Sequence, residues 1–235
     1  MPSTAVTTAI QRLTSNGVFM MPAGELTESL PVSNDAWHRF AAHWDDLAPD
    51  RYAAELGNQR LRRYGHYSFA DGVATPVPIG AFVQPENSNP LYIGTAREFE
   101  PLTDAFAIDP VLDDLLQLLA RFADALDVAS AWTVKVHPFR VIASAAGDGQ
   151  PTPEGMHRDG VTLVTTLLIG RHNALGGETS ILDLAGRRLL TTTLSEPGSL
   201  LIGDDRHTLH AVSPIRSLDR STAAVRDVLV ITFAT

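Results

Sequence analysis

A mainly β, α+β fold is predicted: a β-sandwich or barrel in the second half of the chain, packed by helices from the first half. Three observations predict it. The hydrophobic period changes from helical to two at about residue 131. Short apolar runs then recur between turn signals to the end of the chain. The strongest helical patterns all fall before that change.

In chain order, DAWHRFAAHWDD (35–46) places Trp37, Phe40, Ala41 and Trp44 at helical spacing, with Asn34 or Asp35 as N-cap. His38 and His43 of this helix read as surface residues. Residues 57–94 are rich in Gly, Pro and Asn and predict short strands over Leu61–Phe69 and Ile79–Val83. Asp109-Pro110 opens a stronger helix, with Val111, Leu115, Leu118, Leu119, Phe122 and Leu126 on one face. AWTVKVHPFRVIA (131–143) reads as one strand or two short ones. A Gly/Pro/Asp loop (146–155) follows, then strands over Val161–Ile169, Thr179–Leu182, Arg188–Thr193, Ser199–Ile202, Thr208–Val212 and Val228–Phe233. One domain is expected, with a helix-rich part at about 1–128 and a core at about 129–235 that carries the metal site.

Composition narrows the function. Hydrophobic residues make up 44% of the 235, enough for a sizeable core. Eighteen Lys and Arg against 27 Asp and Glu give a net charge of −9, a poor match to a phosphate backbone. The sequence has no cysteine, so any metal must be held by His, Asp or Glu. Apolar runs fall far short of the roughly 20 residues a membrane helix needs. The N-terminus has Gln11 and Arg12 inside its apolar stretch and does not read as a signal peptide. The expectation is a cytoplasmic protein with a small-molecule substrate, no nucleic acid and no membrane partner, homo-oligomerisation being left open.

His157-Arg158-Asp159 leads into the strand at Val161. Residues two apart on a strand share a face, so an imidazole and a carboxylate can converge there. By the same parity Val161, Leu163 and Thr165 share that face. His210 follows fifty-one residues after Asp159, and Arg226 sixteen residues after that. Two His and one carboxylate on one face of an octahedral Fe(II) leave the other face open. A buried Arg at 226 is costly without an anionic partner, and its fork suits a carboxylate. H-x-D alone arises often by chance; the ordered set is what gives it weight.

PEGMHRDGVTLVTTLLIGRHNALGGETSILD (153–183), DDRHTLHAVSPI (204–215) and RDVLVITF (226–233) resemble the Fe(II)/2-oxoglutarate-dependent dioxygenases. Within them the chain is similar to the branch of L-isoleucine 4-hydroxylase-like free amino acid hydroxylases. The resemblance covers roughly 130–235 and extends more loosely through RLRRYGHYSF (60–69). It implies a double-stranded β-helix, or jelly roll. It implies His157, Asp159 and His210 as iron ligands, Arg226 as the clamp for the distal carboxylate, and Fe(II), 2-oxoglutarate and O2 as the cofactors. Many relatives carry Ser or Thr two residues after that Arg; here the position is Val228.

Nearby candidates are weighed as follows. His207, at an odd offset from His210, belongs at a turn or rim. His137 reads as a structural or rim histidine, and His172 sits in a hairpin-like turn. Arg220 is a rival clamp, but it lies in a polar turn where solvation is the plainer reading. Arg140 could line the pocket. In the cluster Arg60, Arg62, Arg63 with Tyr64, one arginine could bind a substrate carboxylate, and Glu154 a substrate ammonium. Gly176-Gly177 reads as a tight turn needing positive φ. Alternatives to a free aliphatic L-amino acid substrate are a peptidyl or secondary-metabolite hydroxylase, and a cupin-like metal protein without oxygenase activity.

Overall fold

In the computed structural model, residues 4–30, 32–78, 80 and 96–235 are described. In order the elements are α1 (Thr4–Asn16), β1 (Val18–Met21), α2 (Ala23–Ser29), α3 (Asn34–Ala41) with a 3₁₀ turn (Ala42–Asp46), β2 (Ala48–Pro49), α4 (Arg51–Glu55), β3 (Gln59–Arg62), β4 (Gly65–Ala70) and β5 (Val73–Pro76). Then come α5 (Asp104–Ala107), α6 (Pro110–Leu126), β6 (Trp132–Ala143), β7 (Leu163–His172), β8 (Ala174–Gly176), β9 (Glu178–Asp183), β10 (Arg188–Thr193), β11 (Leu200–Asp204), β12 (Thr208–Val212), β13 (Ile215–Ser217) and β14 (Ala224–Ala234). The strand expected at Ile79–Val83 lies outside the described residues, Gly80 excepted.

The architecture is a jelly roll. A large antiparallel sheet runs β1-β11-β7-β14-β6-β3-β2, with β4 and β5 attached through β6. A smaller sheet, β10-β9-β12, and the pair β13-β8 complete it. β14 sits between β6 and β7 and pairs along its length with both. That explains its near-continuous burial and the apolar run Val228–Ile231.

Alternation along the strands separates two interiors. Leu229, Ile231 and Phe233 of β14, with Leu163, Leu167 and Ile169 of β7, turn toward the helices. There they meet Leu112, Leu115, Leu119 and Phe122 of α6 and Phe40 and Trp44 from the α3 region. α6 is started by Asp109, whose carboxylate accepts from Val111 N at 2.9 Å, with Pro110 in the first turn. On the opposite face Val228, Leu168, Ile181 and Leu201 form a smaller core between the sheets. The rest of that inner space is a cavity.

Several expectations need correction. The cap of α3 is Ser33, whose Oγ accepts from Ala36 N; Asn34 and Asp35 already belong to the helix. His43 is not a surface residue: it stacks on Phe106 at 4.4 Å and its Nε2 meets Asp109 at 2.9 Å. The single strand expected over Leu61–Phe69 is two, broken at Arg63–Tyr64. The first half also supplies β1, which pairs with β11 at the edge of the large sheet. Of the two readings of 131–143 the single strand is the one found, Trp132–Ala143 running through Pro138, whereas β14 begins at Ala224 and not Val228, so Arg226 lies inside the strand.

Candidate active site

His210 lies in the middle of β12, and His157 is its direct cross-strand partner. The two residues exchange both main-chain hydrogen bonds: His157 N donates to His210 O at 3.0 Å, and His210 N to His157 O at 2.8 Å. Their rings stand 4.3 Å apart. Asp159 completes the group, with carboxylate oxygens 3.9 Å from His157 Nε2 and 3.8 Å from His210 Nε2. Donors about 2.1 Å from one ion can stand at most about 4.2 Å apart, so both separations are within reach of a single metal. Among the described residues, these three form the one cluster whose donor atoms all lie within 4.8 Å of one another.

The local backbone differs from the expected strand. β7 begins only at Leu163; residues 155–162 are a loop in which Gly155 and Gly160 take φ of +76° and +74°. The bend at 160–162 cancels the parity rule beyond it. Val161 lines the cavity, but Leu163 and Thr165 face away, Leu163 into the helix-side core and Thr165 donating to Ile231 O. Val164 and Thr166 line the cavity in their place.

His157 Nδ1 donates to Gly155 O at 2.9 Å, which leaves Nε2 for a metal. Burial, then the neighbouring His157, push His210 down to about 4, so it is neutral at pH 7. Burial also raises the Asp159 carboxyl. Two imidazoles beside a desolvated carboxylate are a donor set that a dication would satisfy.

The cavity walls follow strand alternation. Lys135, His137, Phe139 and Val141 come from β6, Arg226, Val228, Val230 and Thr232 from β14, and Arg60 and Arg62 from β3. Arg226 is 2% exposed, and its Nε and Nη2 have no hydrogen-bond partner among the described residues. Burial, then Arg171, push it down to about 10, so it stays charged at neutral pH. A buried guanidinium with unspent donors is a receptor for an anion. The rival Arg220 lies in an exposed turn, and His207 in a turn where it meets Asp204 at 3.0 Å.

Of the other candidates, Arg62 and Glu154 line the cavity. Arg62 lies over Phe99 and Phe139 and donates Nη2 to His137 Nδ1 at 2.7 Å, yet its Nε is buried and unpartnered among the described residues. Glu154 sits 3.3 Å from His157 Nε2. Three candidates lie elsewhere. Arg63 is beyond the end of β3 and donates to Asp46 O and Pro101 O. Arg140 alternates to the other face of β6, where Asp227 takes it bidentately at 2.8 Å twice. Tyr64 does not line the cavity but stacks on His137 at 5.0 Å.

The family model for 2OG-Fe dioxygenases matches residues 41–232. The chain belongs to this family. Among relatives of this 2OG-Fe dioxygenase, a bsmA homologue of known structure from Methylobium petroleophilum is 33% identical, with TM-score 0.88, covering 98% of this chain and 93% of that one. The 3(1)-hydroxy-L-isoleucine 4-dioxygenase of Pantoea ananatis is 26% identical over 220 residues, 88% of this chain and 86% of its own. The L-isoleucine-4-hydroxylase of Bacillus thuringiensis is 26% identical over 145 residues, 60% of each chain. No described helix is long and apolar enough to cross a membrane.

The cofactors of a 2OG-Fe dioxygenase are Fe(II), 2-oxoglutarate and O2, and the residues present fit them: a three-donor metal cluster and a buried arginine with donors to spare. Sequence reasoning missed Arg97 and Lys135 as cavity residues and underrated His137, which is 6% exposed and part of the wall. The signal for Lys135 and His137 was available, since both share the parity of Phe139. Asp205 and Arg171 were also missed. Asp205 is a carboxylate between two strands with no spacing pattern to mark it, and Arg171 becomes visible only with β7 and β14 in register.

Proposed function

We propose that this 2OG-Fe dioxygenase hydroxylates a free aliphatic L-amino acid, with conversion of 2-oxoglutarate and O2 to succinate and CO2. The observation that carries this reading is the pair of buried, incompletely satisfied arginines, Arg226 and Arg62, in one cavity with the His157–Asp159–His210 cluster. Two carboxylates have to be recognised, one on the co-substrate and one on the amino acid. The names of the two curated relatives support the amino acid class.

In this reading His157, Asp159 and His210 hold Fe(II), which when bound supplies the oxidising chemistry. Arg226 pairs with the 5-carboxylate of 2-oxoglutarate and fixes its register. Arg62 pairs with the substrate carboxylate, and Glu154 takes the ammonium from its place beside the metal cluster. Val161, Val212 and Val230 give the aliphatic side chain an apolar wall and exclude water. Tyr64 acts indirectly, by stacking behind His137. Which C–H reacts is then a matter of positioning.

The test is aerobic incubation with Fe(II), 2-oxoglutarate and each free amino acid, following succinate and a 16 Da gain by mass spectrometry. Aliphatic amino acids should give both signals, and His157→Ala or Asp159→Ala should give neither. Oxidation of a peptide or another metabolite, with all free amino acids inert, would transfer the site to a different substrate class. Absence of succinate under every condition would favour a metal-binding protein without oxygenase activity.

A further inference from the structure

We propose that Asp205 is a positioning residue for the metal centre, one buried carboxylate that sets both the loop carrying Asp159 and the ring of His210. The inference rests on His157, Asp159 and His210 being the metal ligands.

Asp205 follows the end of β11 and is fully buried. Its Oδ1 accepts from Asp159 N at 3.1 Å, and its Oδ2 from Gly160 N at 2.7 Å and Val161 N at 3.0 Å. Its own N–H donates to Thr162 O at 3.2 Å. The loop from 159 to 162 is thereby gripped from both directions, and this loop has no ladder of its own until β7 begins. The same Oδ1 stands 3.8 Å from Nδ1 of His210, the ring nitrogen turned away from Asp159. That nitrogen is buried and has no hydrogen-bond partner among the described residues. Contacts of this kind are commonly long before the ligand arrives and tighten when it does.

The chemistry explains why a carboxylate occupies this place. A neutral side chain such as Asn could accept from the loop amides. What a carboxylate adds to those three amide bonds is a negative acceptor facing His210 Nδ1, for when that ring holds a cation through Nε2 and keeps its proton on Nδ1. A carboxylate behind a metal-bound imidazole fixes its tautomer and raises its basicity.

The experiment is calorimetric titration of Mn(II) into wild-type protein, Asp205→Asn, His157→Ala, His210→Ala and the double variant Asp205→Asn/His210→Ala. Asp205→Asn should weaken Mn(II) binding by about 10- to 100-fold while the metal-free Tm stays within a few degrees of wild type. In the His210→Ala background the same substitution should cost clearly less. Wild-type affinity in Asp205→Asn, or an equal loss with and without His210, overturns the proposal. Wild-type affinity in His157→Ala would instead sink the metal site itself. Should Asp205→Asn not fold, the Zn(II)-loaded wild-type protein decides. Its His210 Nδ1 proton should persist at low field in the ¹H–¹⁵N spectrum, and loss of that proton to rapid water exchange would rule out the contact.

Discussion

Arg171 lies directly across the β7–β14 pair from Arg226, and each guanidinium keeps at least one buried nitrogen without a hydrogen-bond partner among the described residues. Like charges opposite one another in a sheet repel, so the pair is poised for an anion. Removing one partner of a buried, hydrogen-bonded charge pair costs about 2–5 kcal/mol. Arg226→Met should therefore raise the 2-oxoglutarate KM by at least about thirty-fold, with a smaller change in kcat. Succinate release against 2-oxoglutarate concentration measures this. Arg220→Ala should leave the curve unchanged; if it shifts the curve instead, Arg226 is not the clamp.

Gly176 and Gly177 form the turn beneath that pair, with φ of +78° and +70°. A Cβ on Gly176 would stand 2.2 Å from Pro214 O, which is main chain and cannot swing aside. Gly176→Ala should cost at least about 2 kcal/mol, or about 4–8 °C in Tm. Gly186 also has positive φ, +82°, but open space around it. Gly186→Ala should show only the smaller conformational penalty, and equal losses by calorimetry would mean that the clash with Pro214 is absorbed. A Cβ on Gly177 would lie 3.1 Å from Arg171 Nη1, so Gly177→Ala should shift the guanidinium opposite Arg226 and also raise the 2-oxoglutarate KM.

Arg62 and Arg63 are neighbours in sequence with different surroundings. Arg62→Met should raise the amino acid KM about ten-fold or more and leave the 2-oxoglutarate KM near its wild-type value. Arg63→Met, whose guanidinium is spent on two main-chain carbonyls, should change neither. Steady-state kinetics with each substrate varied in turn distinguishes them, and a selective effect of Arg63→Met would reverse the assignment.

His137 is held well below the usual histidine range by burial and then by Arg62 and Lys135. Arg62 has no acceptor, so its bond to Nδ1 requires that nitrogen to be unprotonated. In the unfolded chain the same imidazole takes up a proton as pH falls through about 6.5. Below that pH the unfolded state binds the additional proton, so His137 lowers stability as the solution is acidified. Denaturant titrations from pH 7.5 to 5 should show this loss, and it should be smaller in His137→Phe. An NMR titration showing His137 protonated at pH 6 would contradict the burial argument.

The site was more legible than its surroundings. His157, Asp159, His210 and Arg226 stand out because spacing along the chain survives folding. The parity of Leu163 and Thr165 fails because Gly160 bends the chain between them and the pair His157 and Asp159. Arg140 could have been set aside from the alternation that aims His137 and Phe139 inward, because a side chain facing opposite to them cannot reach the same space. β1 could not be read at all: VFMM becomes a strand only because β11 offers it an edge. The cap of α3 lies one or two residues before the expected Asn34 or Asp35 because Ser33, Asn34 and Asp35 are all competent caps.

The lone bridge between His157 and His210 carries a mechanical consequence. The stretch before β7 is tied to β12 by the two main-chain hydrogen bonds of this bridge and by the Thr152 hydroxyl, which bonds both main-chain groups of Val212, so an ion held by the same two histidines would add a further tie across the rim. Stripping such an ion with a chelator should loosen that rim as well as end the chemistry. The rim should then exchange its amide hydrogens faster while the floor around α6 and β14 keeps its protection.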